Sequence, residues 1–366
     1  MQKFATMLLS FASGLALVPA ARADAVSDAK AYVASVSAPA APWSGPTTGP
    51  KAAPGKTIVY VSADQNNGGA RGAGEGVKEA AGVVGWTYRL IDGQGSVSGR
   101  TSAMSQAIAT KPDVIVLGAI DATEQSASIE AAVKQGIVLI GWHATARSGP
   151  EPKMSIFTNI TTDPLAVARA AASLACAESG GKAGVVIFTD STYEIAVKKA
   201  RAMEAVMKQC GQSKVLDFID TPLAEASTRM PQLTTSLLQK YGKTWTHALS
   251  INDLTFDFMA PSLASAGIEG DGAPFAISAG DGSEAAFQRI RQKQYQEATV
   301  AEPLRLQGWQ IVDEANRALN KQPDSGFVAP AHLFLATNIG ADGGPKNTYD
   351  PDNGYTAIYK KIWTGQ

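Results

Sequence analysis

The sequence predicts an α/β protein with two lobes, each built on a parallel sheet. Two observations support this. Short apolar runs alternate with helical stretches from residue 56 onward, and the alternation restarts after a proline-containing break at 147–153. The runs are apolar throughout, as in parallel strands covered on both faces. The 366 residues are enough for two domains of ordinary size.

Each half supplies its own set of elements. The first half has predicted strands at 57–62, 86–91, 113–117 and 137–142, with helices at 73–84, 102–110 and 126–135. The second has strands at 156–159, 184–188, 215–219, 247–251, 275–279 and 298–301, with helices at 164–177, 193–210, 228–241 and 256–266. A helix at 305–319 and a strand at 330–336 follow, and 340–354 is predicted as loop. The two halves therefore predict tandem Rossmann-like lobes.

The first residues predict export. Lys3 precedes the apolar run 7–18, Pro19 and the small-residue segment 20–23, which together predict a signal peptide over 1–23 with cleavage after Ala23. The apolar run is too short for a stable transmembrane helix. Residues 24–55 are rich in Pro and Ala and predict an extended leader, with a possible short helix at 28–37.

Charge and cysteine content limit the partners, disulfides and metal sites that the sequence predicts. The formal net charge is −1 and the basic residues are scattered, so nothing favours nucleic acid or an anionic membrane as partner. The two cysteines, Cys176 and Cys210, fall near the ends of predicted helices on either side of one strand. In an oxidising compartment they favour a disulfide over two buried free thiols. None of the three histidines has metal-ligand spacing to them, so no metal site is predicted.

Polar residues recur directly after the predicted strands, where open α/β sheets bind ligands. Carboxylates and amides accept and donate hydroxyl hydrogen bonds in pairs, and aromatic rings cover C–H faces, so this set suits a small neutral polyhydroxylated ligand. Any one of these residues could instead cap a helix or form a turn. The candidates are Asp64, Gln65, Asn66, Asn67, Trp142, His143, Asp190, Tyr193, Asn252, Asp281 and Glu302.

Motifs of enzymes are weak in this chain. The glycine-rich stretch 72–76 lacks both G-x-G-x-x-G spacing and a P-loop lysine, and no G-x-S-x-G is present. The histidines show no H-E-x-x-H pattern, and His143 has no evident nucleophile to activate. The sequence therefore predicts no catalytic step and no cofactor.

Several motifs in order carry a family resemblance: the export signal, two β/α lobes, Asn252-Asp253, Gly280-Asp281-Gly282 and the strand 298–301 ending in Glu302. Together they resemble the type I periplasmic sugar-binding proteins of ABC transporters, the ribose- and galactose-binding kind with a LacI-type core. The resemblance implies that Asp64–Asn67, Asn252, Asp281 and Glu302 bind a sugar between the lobes. It further implies a monomer in the periplasm that delivers its ligand to an inner-membrane permease.

The chain departs from the family pattern at three places. Trp142-His143 stands where ribose-type members usually have Asp-Arg, 64–67 replaces an aromatic pair, and Glu302 stands where Gln is common. Trp142 could stack on a flat ligand or belong to the core. The ligand could therefore be a monosaccharide, a polyol, a nucleoside or a small amine. A receptor subunit for a signalling ligand and a secreted hydrolase are the alternatives from other classes.

The resemblance also sets the expected domain boundaries. The N-terminal lobe is predicted to hold 56–157 and 304–325, and the C-terminal lobe 158–303 and 326–366. Three crossover strands are expected to join them as a hinge, with ligand-driven closure.

Overall fold

The computed structural model describes residues 20–365 of the chain, so the predicted signal peptide lies outside the described residues except for its last four. The helices are α1 Ala20–Val36, α2 Gly68–Val83, α3 Val97–Ala109, α4 Ser126–Lys134, α5 Pro164–Glu178, α6 Glu194–Gln209, α7 Ala226–Tyr241, α8 Leu254–Ser265, α9 Glu284–Gln292, α10 Leu304–Leu319 and α11 Tyr355–Thr364. The strands are β1 Thr57–Ser62, β2 Thr87–Asp92, β3 Val114–Gly118, β4 Val138–Trp142, β5 Gly149–Glu151, β6 Ile156–Ile160, β7 Gly184–Thr189, β8 Lys214–Asp220, β9 His247–Ser250, β10 Phe275–Ser278, β11 Ala298–Ala301 and β12 His332–Leu335.

Two six-stranded sheets form the two lobes. Their strand orders are β2-β1-β3-β4-β6-β5 and β12-β11-β10-β9-β7-β8. All pairings are parallel except those of the short strand β5 with β6 and of β12 with β11. The central strands β1, β3 and β7 are almost entirely buried, because helices cover both faces of each sheet. The predicted α/β fold of two lobes with parallel sheets is confirmed.

Three crossings join the main parts of the two lobes, from β6 to α5, from β11 to α10 and from α10 to β12. The chain crosses twice more near its ends, from α1 to β1 and from β12 to α11. Strand β6 pairs with β4 over Thr158–Ile160 and belongs to the first sheet, so the predicted boundary between 157 and 158 falls inside a strand. The first lobe therefore continues to residue 160.

The last helix corrects the prediction that 326–366 belongs to the second lobe. Strand β12 lies in the second sheet, as expected, but α11 packs in the core of the first lobe. Its buried residues Tyr355, Tyr359, Ile362 and Trp363 recur at helical spacing and form one apolar stripe. Trp363 stacks on Trp309 of α10 with ring centroids 5.4 Å apart. This apolar stripe places the C-terminal helix in the first lobe.

The segment before β1 contacts both lobes. Helix α1, longer than predicted, packs along α5 of the second lobe, and Tyr32 lies over the Arg169 guanidinium. Residues 37–55 then run in extended form to the first lobe, where the Trp43 ring packs against Phe327 with centroids 4.9 Å apart. The Asn316 side chain of α10 accepts a hydrogen bond from Ala53 N and donates one to Pro50 O. The segment predicted as a leader is therefore an ordered part of the fold.

A disulfide joins Cys176 and Cys210, with Cα atoms 5.8 Å apart. It ties the end of α5 to the end of α6 beside strand β7, and the predicted bridge is confirmed. No helix among residues 20–365 combines the length and apolar character that crossing a bilayer requires.

Candidate functional site

A small cavity lies between the lobes, at the carboxyl ends of the strands. Its volume is about 40 Å³. Five residues predicted from sequence line it, together with apolar side chains and one lysine that was not predicted. The lining residues are Asn67, Ala119, His143, Tyr193, Ile195, Ala196, Lys199, Leu223, Ile251, Asn252 and Asp281.

Local structure explains why these side chains meet. Asn67 caps α2, and its Oδ1 accepts from Gly69 N at 2.9 Å. Asn252 and Asp281 follow β9 and β10, which are neighbouring parallel strands. Asn252 Nδ2 donates to Asp281 Oδ2 at 2.8 Å. His143 follows β4 with a left-handed backbone, φ 53°, that ends the strand and projects the ring toward the second lobe.

Four ionisable side chains form a buried cluster beside the cavity. His143 Nε2 lies 3.0 Å from Glu302 Oε2, and His143 Nδ1 lies 4.0 Å from Asp281 Oδ1. Lys199 Nζ lies 3.9 Å from Asp281 Oδ1 and 3.7 Å from Glu302 Oε1. Glu302 Oε2 also accepts from Thr162 N and Gln307 Nε2. We call these four residues, His143, Lys199, Asp281 and Glu302, the cleft cluster.

The two carboxyl groups of the cleft cluster have opposite pKa shifts. Burial acts to raise the pKa of Glu302, but the nearby His143 and Lys199 and the hydrogen bonds it accepts hold the pKa well below its usual range. Burial dominates at Asp281, and its pKa is raised even though Lys199 and His143 act against the rise. Glu302 is therefore the more firmly ionised member of the pair.

Lys199 is the site residue that sequence reasoning missed. It lies on α6, where Ile195, Lys199, Met203 and Met207 recur every four residues on the buried face. The lysine is only 3% exposed. A lysine within an apolar stripe was the signal that could have identified it, because buried lysines are rare unless paired.

The other predicted residues lie outside the cavity lining. Asn66 is exposed, and Asp64 and Gln65 are half-buried on the same loop. The Asp190 carboxylate accepts from Thr192 and from Leu223 N, which is a turn-forming role. Glu302 does not line the cavity but contacts the lining residue His143.

Trp142 is a core residue of the first lobe. Its ring is fully buried, and its Nε1 donates to Gln307 Oε1 at 2.8 Å. It stacks on the His143 imidazole with centroids 4.0 Å apart. The sequence left open whether Trp142 stacks on a ligand or belongs to the core, and this placement agrees with the core. Trp142 affects the site by supporting the His143 ring.

The periplasmic binding protein domain profile matches residues 58–323, most of the chain. The chain belongs to the periplasmic binding protein family. Solved structures with the same fold include a sugar ABC transporter protein from Yersinia enterocolitica subsp. enterocolitica 8081, at 13% identity and a TM-score of 0.72, covering 87% of this chain and 99% of that one. At such identities the likeness concerns the fold. No curated protein sequence matches this chain.

Two further neighbours of this binding protein were solved with sugars. One is a solute-binding protein from Agrobacterium vitis bound with α-D-tagatopyranose, at 14% identity and a TM-score of 0.70, covering 80% of this chain and 99% of that one. The other is the arabinose transporter component from Shewanella sp. ANA-3 bound to L-arabinofuranose, at 15% identity and a TM-score of 0.67, covering 82% of this chain and 97% of that one.

The lobes of this periplasmic binding protein touch around the cavity. Glu194 N, at the start of α6, donates to Asp121 Oδ2 at 3.2 Å, and Lys198 Nζ donates to Ala146 O at 2.7 Å. A Cβ atom on Gly69 would lie 2.2 Å from Asp281 Oδ2, so only glycine permits this approach of α2 to the second lobe. The structure is therefore a closed form.

Proposed function

We propose that this chain is the substrate-binding component of an ABC importer, and that its cleft binds a small neutral carbohydrate, a monosaccharide or a sugar-like polyol. The observation that carries the proposal is the convergence of His143 from the first lobe with Asn252 and Asp281 from the second on one cavity. A ligand held by both lobes stabilises the closed form, because it loses its contacts to one lobe when they separate.

The chemistry of the lining supports an uncharged hydroxylated ligand. Asn252 and Asp281 offer an amide and a carboxylate side by side, a pair that suits the donor and acceptor of one hydroxyl group. Tyr193, Ile195 and Leu223 supply apolar surface for C–H groups. The sugars in the neighbouring structures support the same class of ligand.

Binding requires the lobes to open. The cavity volume of about 40 Å³ has room for about three water molecules, which is too little for a monosaccharide. The rim contacts of Glu194 and Lys198 must therefore break or shift for the ligand to enter. We expect closure around a ligand to leave a wider cleft than the one in this structure.

A thermal-shift screen against monosaccharides and polyols tests the proposal, with hits measured by isothermal titration calorimetry. A true ligand at about 100 times its dissociation constant adds about 2.7 kcal/mol to the free energy of unfolding. Nucleosides and small amines belong in the same panel. A response to these alone would contradict the carbohydrate assignment.

We further propose that the protein acts without catalysis, as a monomer in the periplasm that hands its ligand to an inner-membrane permease. A turnover assay on glycosides of the sugar identified, with Asp281→Asn and Glu302→Gln as controls, tests the first part. We expect the two variants to lose binding and the native protein to show no turnover. Hydrolysis that both substitutions abolish would instead indicate an enzyme.

A further inference from the structure

Lys199 occupies an unusual place for a lysine. Its side chain is 4% exposed and its ammonium lies between two carboxylates, 3.9 Å from Asp281 Oδ1 and 3.7 Å from Glu302 Oε1. Both distances exceed a hydrogen bond, so the attraction is one of charge. Without a nearby cation, two buried carboxylates this close would repel each other. The Lys199 ammonium therefore offsets the negative charge of the two carboxylates, without a cation from solution.

The remaining three members of the cleft cluster have the geometry of a cation site. One ligand atom each from His143, Asp281 and Glu302 lies within 4.8 Å of the other two, and all three residues are buried. An imidazole nitrogen with two carboxylate oxygens is a ligand set that Zn²⁺ accepts, with its fourth position open. Moreover, Glu302 Oε1 has no hydrogen-bond partner among the residues described, although Glu302 is fully buried.

We propose that Lys199 is the specificity-determining residue of the cleft, a resident cation that occupies the place a metal ion or a ligand amine would otherwise take. The ammonium satisfies the charge of Asp281 and Glu302 and repels a second cation. An uncharged hydroxyl group of the ligand is therefore the group that can bind beside Lys199. The assignment of hydroxylated ligands rests on the proposed function, whereas cation exclusion concerns the cleft cluster alone.

The spacing around Lys199 also suits a hydroxyl group. Because the ammonium lies beyond hydrogen-bond distance of both carboxylates, a ligand oxygen in the cavity can accept from Lys199 Nζ while its proton is donated to Asp281 Oδ1. A ligand amine would bring a second positive charge beside Lys199 and His143. The same residue thus favours neutral hydroxylated ligands and disfavours amines.

Zn²⁺ alone, without any sugar, tests the proposal by isothermal titration and thermal shift on the purified protein. We expect Lys199→Met to bind Zn²⁺ about 100-fold more tightly than the native protein does, since it removes a full charge about 4 Å from the ligand atoms. Lys208→Met is the matched control. It deletes the same charge from the same helix, at an exposed side chain that pairs with Glu204, and should leave Zn²⁺ affinity at the native level.

The double variant Lys199→Met with His143→Ala should lose the gained affinity, because it removes one of the three ligands. If Lys199→Met does not fold in the absence of metal, Lys199→Gln provides the same test with a polar side chain. Native protein that already binds Zn²⁺ as tightly as Lys199→Met would overturn the proposal. A folded Lys199 variant that binds Zn²⁺ no more tightly than Lys208→Met would overturn it as well. Either result leaves sugar binding by the native protein, measured separately, unaffected.

Discussion

His143 Nε2 and Glu302 Oε2 lie 3.0 Å apart and join the first lobe to the crossover between β11 and α10. Both residues are buried, and Glu302 also accepts from Gln307 Nε2 at 2.8 Å. This contact connects the cavity wall to α10, the helix that follows the crossover. A change in the charge of Glu302 should therefore alter both the stability of the fold and the cavity in the cleft.

Glu302→Gln should lower the free energy of unfolding by about 3 kcal/mol at pH 7, because it leaves Lys199 and His143 without their fully ionised partner. The measurement is urea denaturation followed by circular dichroism. Since the Glu302 pKa is lowered in the folded state, the stabilisation by Glu302 is present at neutral pH and declines only below about pH 4.5, the ordinary pKa of Glu. Glu79→Gln, in an exposed pair with Arg305, is the control and should cost less than about 1 kcal/mol. Equal losses in the two variants would contradict this role for Glu302.

Asp281→Asn should weaken binding of the ligand found in the screen about tenfold or more, whereas Asp64→Asn should leave it nearly unchanged. Sequence reasoning gave both carboxylates the same role, but Asp281 lines the cavity and Asp64 is half-buried outside it. Calorimetric titration of both variants compares the effect of the same Asp-to-Asn substitution at the two positions. Comparable losses would show that the first loop reaches the ligand in another conformation of the cleft.

The sequence predicted the fold well and the site in part, and particular residues show why. The sheets were recognisable because strands such as β1 and β3 are continuous apolar runs. Asn67, Asn252 and Asp281 were predicted to lie together because strand ends of a parallel sheet meet at one edge, and all three line the cavity. Lys199 was missed because it projects from a helix, and only tertiary packing shows that its charge is buried. Trp142 could not be assigned, since a strand end has two faces and the sequence does not say which one the ligand uses.

Glu314 should make the native protein lose stability as the pH rises toward neutrality. Burial raises its pKa to about 7 from 4.5, although Ser325 N and Oγ donate to the carboxylate. A raised folded-state pKa gives a stabilising contribution that is complete below about pH 4.5 and lost as the pH passes through about 7. That contribution amounts to about 3 kcal/mol. Glu314→Gln keeps an acceptor for Ser325 and should remove this part of the pH dependence in urea denaturation between pH 5 and 8.

The exposed Glu130 provides the control for the Glu314 experiment. Glu130→Gln should show the same pH profile as the native protein. A Glu314→Gln profile that runs parallel to both would mean that Glu314 does not bind its proton more tightly in the folded state.

Gly69→Ala should hold the lobes apart without unfolding either one. The added methyl group would lie 2.2 Å from Asp281 Oδ2 in the closed form, so closure requires Asp281 or α2 to move. Alanine is also the better helix former, so the first lobe should lose no stability. We expect a larger radius of gyration in small-angle X-ray scattering and a ligand affinity reduced about tenfold or more.

Gly82→Ala is the matched control, since it lies in the same helix and its added Cβ meets no atom within 4 Å. It should match the native protein in scattering and in affinity. The comparison separates closure from helix stability, because both variants place an alanine near an end of α2 and only one meets Asp281. If Gly69→Ala binds ligand as tightly as Gly82→Ala, the contact between α2 and Asp281 is not part of the ligand-bound state, and the closed form that holds ligand must be more open than this one.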